Sequence, residues 1–66
     1  MSMRVEYFAQ GDTLGNVFGY PKTVGKPGFA VVEDDEYCTG GNGPIQCSAK
    51  MFNSEELAIE ELRRLS

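Results

Sequence analysis

Apolar and polar positions alternate at the start of the chain: Met3, Val5, Tyr7 and Ala9 fall on one side, Arg4, Glu6 and Gln10 on the other. Period two with β-branched and aromatic members predicts a half-buried strand over residues 3–9. Phe8 breaks the alternation and is expected under a loop, and Gly11-Asp12 ends the strand. Residues 11–28, GDTLGNVFGYPKTVGKPG, contain five glycines and two prolines. A short strand over residues 16–20 would be weak or peripheral there, because Gly15, Gly19 and Pro21 oppose it. Gly25-Lys26-Pro27-Gly28 reads as a turn. A second strand starts at Phe29 and carries Val31 and Val32. A third, over residues 45–52, places Ile45, Cys47, Ala49 and Met51 against Gln46, Ser48 and Lys50.

Between those strands, Asn42-Gly43 is the strongest two-residue hairpin signal, since both positions tolerate positive φ. A turn there sets Cys38 opposite Cys47, Tyr37 opposite Ser48 and Asp35 opposite Lys50. The same register turns Asp34 and Glu36 to the face of Ala49 and Met51, which should be buried. That conflict predicts a bulge, or a strand that leaves the sheet, near the acidic run. The last element is a helix. Asn53 is its expected N-cap with Glu56 at N3, and Phe52 and Leu57 form a hydrophobic staple. Glu55 and Glu56 in the first turn and Arg63 and Arg64 in the last suit the helix dipole. Ala58, Leu62 and Leu65 share a face, flanked by Leu57 and Ile59, while Glu60 and Arg64 are an outward i,i+4 pair. The fold class expected is α+β: a small antiparallel sheet of three to four strands packed against one C-terminal helix, in a single compact domain over 1–66.

Charge changes the picture more than composition does. Ten acids stand against six bases, for a net charge of −4. Residues 1–32 balance to +1, with Arg4, Lys22 and Lys26 against Glu6 and Asp12. Residues 33–61 balance to −7, with Glu33, Asp34, Asp35, Glu36, Glu55, Glu56, Glu60 and Glu61 against Lys50 alone. Such a surface repels nucleic acid and is attracted to basic grooves, so a basic protein partner is expected and direct nucleic-acid binding is not. Apolar runs are too short to span a membrane, and residues 1–10 lack the apolar stretch of a signal peptide. A cytoplasmic monomer is the resulting expectation.

Catalytic chemistry finds little support. The chain has no His, which removes the commonest general base, the Ser–His and Cys–His pairs and the usual zinc sites. No enzyme activity, metal or cofactor is therefore expected. Cys38 and Cys47 are too far apart in sequence for a redox or zinc-knuckle motif. They read either as reduced small hydrophobes on facing strands or as a cross-hairpin disulfide. Gly25-Lys26-Pro27 lacks the Ser/Thr, the glycine spacing and the following helix of a phosphate loop. The run from Glu33 to Glu36 lacks the alternation of a calcium loop. It is either a solvated edge that discourages strand-to-strand aggregation or a patch for a basic partner. Glu56, Glu60 and Glu61, expected to point away from the core, add to the second reading. Phe18 and Tyr20, in the glycine-rich segment, are either interface anchors or caps on the open end of the core.

With MRVEYFAQGDTLGNVFGYPKT near its start and FNSEELAIEELRRL near its end, this short, acidic, His-free chain resembles phage-encoded anti-CRISPR proteins. It is closest in character to inhibitors of the type I-C system. The resemblance implies an inhibitor that acts in the cytoplasm of the bacterial host. It would bind a subunit of a type I, Cascade-type Cas effector at a basic DNA-binding surface and block target DNA recognition as a DNA mimic. By that logic Glu33, Asp34, Asp35, Glu36, Glu56, Glu60 and Glu61 would stand in for phosphates. The alternative is a small acidic regulatory or antitoxin-like module that binds a basic host protein.

Overall fold

The computed structural model describes residues 3–16, 20–34 and 43–66. Five strands form one mixed sheet: β1 (Met3–Phe8), β2 (Thr13–Gly15), β3 (Pro21–Thr23), β4 (Gly28–Glu33) and β5 (Ile45–Gln46), in the order β1-β4-β5-β2-β3. Among the described residues one helix, α1 (Glu55–Leu65), completes the α+β fold. The sheet has one more strand than the upper expectation. It is mixed rather than antiparallel because β2 runs parallel to β5.

Strand order and chain order together show that the sheet curls. Laid flat, three strand spacings would separate β1 from β2 by roughly 14 Å. Yet residues 9–12 join them by a tight turn, closed by the Asp12 N–H donating to Ala9 C=O at 3.1 Å and the Ala9 N–H donating to Asp12 Oδ2 at 2.8 Å. Gly11 occupies the turn's third position at φ +93°, a backbone shape that a type II turn reserves for glycine. Its N–H donates to Val24 C=O while the Val24 N–H donates to Asp12 C=O, each at 2.8 Å. Two residues thus oppose one, which is a bulge that bends the sheet.

Curling explains the core. Phe8, Leu14, Val24, Ala30 and Val32 form one buried cluster with Met51 against it. Phe8 is a core residue at 5% exposure, whereas Tyr7 on the opposite face is 54% exposed with its ring edge-on to Phe29 at 5.3 Å. Val31 points away from Ala30 and Val32 and is equally buried, so both faces of β4 are covered. The helix contacts β1 and β4, and none of its residues belongs to the Phe8 cluster. It therefore lies over Val31, on the face that also carries Met3 and Val5.

Three expectations are corrected. Asn16 and Tyr20, the ends of the strand expected over residues 16–20, belong to no strand and bond each other through backbone and side chain, with Gly15 opposite Pro21 in the β2–β3 pair; residues 17–19 lie outside the described residues. The third strand over residues 45–52 is reduced to Ile45–Gln46, paired with Val32 and Glu33, plus an isolated bridge between Phe52 and Phe29. More residues lie between Gln46 and Phe52 than between Val32 and Phe29, so the surplus loops out. The N–H groups of Cys47 and Ser48 both donate to Val31 C=O. The buried Ser48 hydroxyl accepts the Val31 N–H at 3.3 Å and donates to Lys50 C=O at 2.9 Å. Cys47 thus bonds Val31 through its N–H and Lys50 is in no strand; their expected partners Cys38 and Asp35 lie outside the described residues. Finally, the helix cap is Ser54, whose Oγ accepts the Leu57 N–H, so Leu57 rather than Glu56 is at N3. The expected capping box and the Phe52–Leu57 staple do not form, and Leu57 is 49% exposed.

Candidate acidic binding surface

The acidic residues rest on two supports, the end of β4 and the helix. Glu33 closes β4 and is half-buried on the helix side, while Asp34 follows it on the opposite side and is exposed. Arg4 on β1 lies opposite Val32, so its guanidinium reaches Asp34 next along the same face. Nη1 donates to Asp34 Oδ2 at 3.0 Å and Nη2 to Glu6 Oε2 at 2.9 Å. The hydrogen bond to Asp34 is the main cause of a further rise in the Arg4 pKa. All three side chains are well exposed, so each pair contributes about 0–1 kcal/mol, but Asp34 is no longer a bare charge. Cys47 is a free thiol. Burial, and then the negative charge of Glu33, push its pKa up.

On the helix, Glu55 and Glu56 occupy the first turn, where the dipole favours them. Glu56 and Glu60 are exposed, as expected. Glu61 is not: its side chain is 14% exposed on the flank of the buried stripe, and Arg64 Nε donates to its Oε1. That bond is the first cause holding the Glu61 carboxyl below its ordinary pKa. Arg64 thus pairs with Glu61, not with Glu60. Among the described residues, Glu33, Glu55, Glu56 and Glu60 take part in no ion pair.

Asp35, Glu36, Phe18 and Cys38 lie outside the described residues. Tyr20 is 68% exposed and so does not cap the core. Two contacts had no sequence signal: the reach of Arg4 to Asp34 depends on the β1–β4 register, and the role of Ser48 on the looped-out segment.

Of the cations, only Arg4 and Arg64 take part in ion pairs among the described residues. Lys22 Nζ donates to Gln46 Oε1 at 2.8 Å, and Lys50 Nζ sits 5.7 Å from the Phe52 ring centroid. A cavity of about 210 Å³ opens between residues 22–27 and 51–53 with Lys22 and Lys26 in its wall. Among the described residues no group of three His, Cys, Asp or Glu side chains could hold a metal ion. No helix among them is long and apolar enough to cross a membrane. Comparison with protein-family models, with curated proteins and with solved structures finds no match to this chain.

Proposed function

We propose that this protein is an anti-CRISPR inhibitor that docks its acidic surface on a basic DNA-binding groove of a type I Cas effector and blocks target recognition. The observation that carries the reading is the group of exposed acids on the helix, Glu55, Glu56 and Glu60. Among the described residues Arg4 and Arg64 are ion-paired with Asp34, Glu6 and Glu61, while Lys22 and Lys50 keep their charge beside Gln46 and the Phe52 ring. Glu33, Glu55, Glu56 and Glu60 keep their charges free of any ion pair among the described residues. A groove lined by Lys and Arg for DNA would attract such a surface before contact, and fast, salt-sensitive association follows. Tyr20, exposed and held by Asn16 at its backbone, supplies an aromatic anchor of the kind that adds affinity beyond charge.

Changing Glu56→Lys and Glu60→Lys together tests the role of the acids. Binding to a purified type I effector should weaken about tenfold or more, chiefly through slower association, with the helical circular-dichroism signal retained. Unchanged affinity and association rate in the folded double variant would overturn the assignment of the helix acids.

A further inference from the structure

The free edge of β1 carries an inference that does not depend on the acidic surface. Among the described residues β1 ends the sheet and is hydrogen-bonded only to β4. Which of its backbone groups face outward follows from the partners of β4. The Val31 C=O accepts the N–H groups of Cys47 and Ser48, and the Val31 N–H donates to Ser48 Oγ. The Phe29 N–H and C=O both bond Phe52. Val31 and Phe29 thus aim their backbone groups away from β1. In an antiparallel ladder, directly opposed residues are either both hydrogen-bonded to each other or both not. Val5 lies opposite Val31 and Tyr7 opposite Phe29, so the N–H and C=O of Val5 and Tyr7 point out of the sheet. Period two adds Met3.

We propose that a second copy of this chain docks its own β1 antiparallel on this edge, with the two-fold axis at Val5. That register brings the outward-facing residues together: Val5 meets Val5 and Met3 meets Tyr7, each pair exchanging both N–H···O bonds. Arg4 then faces Glu6 of the other copy, twice by symmetry, at the close separation of a non-hydrogen-bonded pair. An axis at Arg4 or at Glu6 would set like charges opposite each other. The charges that guard an edge against arbitrary pairing therefore select one register here. On the other face, the half-exposed Tyr7 ring gains the Met3 side chain of the second copy, a sulfur–aromatic contact. The expectation of a monomer did not consider this edge.

Sedimentation of the full chain over a range of concentrations should show a reversible dimer that weakens with salt. Arg4→Glu alone, or Glu6→Arg alone, sets like charges opposite and should raise the dimer dissociation constant about tenfold or more. The Arg4→Glu, Glu6→Arg double variant restores complementarity and should bring dimerisation back. Amide exchange provides a readout without mutation: Val5 and Tyr7 should become more protected as protein concentration rises. A wild-type chain that stays monomeric at millimolar concentration, or a dimer indifferent to both single reversals, overturns the proposal. So does exchange at Val5 and Tyr7 that is independent of concentration.

Discussion

Ser48 replaces a missing ladder partner with a side chain. The looped-out segment leaves the Val31 N–H without a backbone acceptor, and the buried hydroxyl supplies one while its own proton goes to Lys50 C=O. Ser48→Ala should therefore cost about 1–3 kcal/mol, because a buried donor loses its acceptor; urea unfolding measures it, and a loss near zero would contradict this role. Gly28 is constrained by proximity: a Cβ there would stand 2.8 Å from the Phe52 carbonyl oxygen, so Gly28→Ala should destabilise by about 1–3 kcal/mol. A thermal midpoint equal to that of the parent would contradict it. Neither residue announces itself in the sequence, where Ser48 reads as an outward polar position and Gly28 as the end of a turn. Both depend on where Phe52 returns to β4. The exchange of roles between Tyr7 and Phe8 has the same origin, since alternation identifies two faces but not that curling covers the second.

At the scale of elements, the helix was the most legible and its start the least. Local signals lie within a few residues of each other, so Glu55–Leu65 could be read from its amphipathic stripe and end charges. Asn53 and Ser54 are both good caps, and the bridge at Phe52 decides between them by fixing the chain just upstream. Ser54→Ala should lower stability by about 1 kcal/mol and Asn53→Ala by much less; the reverse order in thermal melts would contradict the cap. The Glu61–Arg64 bond adds a pH dependence. The folded Glu61 pKa lies below its unfolded value, so its contribution is present above the unfolded carboxylate value of about 4.3. It is lost as pH falls through the folded value. Melts from neutral to acid pH should show the parent losing its advantage over Glu61→Gln at the acid end; a constant difference would contradict the bond. The strand expected over residues 45–52 failed because alternation cannot reveal residues that are surplus to the partner strand.

Across the whole molecule, the acidic excess was legible from composition, but its distribution was not. The balance of −7 over residues 33–61 stops short of Arg63 and Arg64, and carrying it to Ser66 gives −5. Folding then joins Arg4 from the first segment to Asp34 and closes Arg64 onto Glu61. Among the described acids of residues 33–61, Glu33, Glu55, Glu56 and Glu60 are the ones left without an ion pair. A Lys- or Arg-lined groove that holds DNA would be the natural counterpart, and binding there should weaken steeply between about 50 mM and 200 mM salt, as DNA itself does. The most direct measurement is equilibrium binding of this protein to a purified type I Cas effector, titrated with target DNA at fixed salt. The account predicts mutual displacement, with target DNA releasing the protein and excess protein preventing DNA capture. No binding to the effector, or binding unaffected by saturating target DNA, would contradict it.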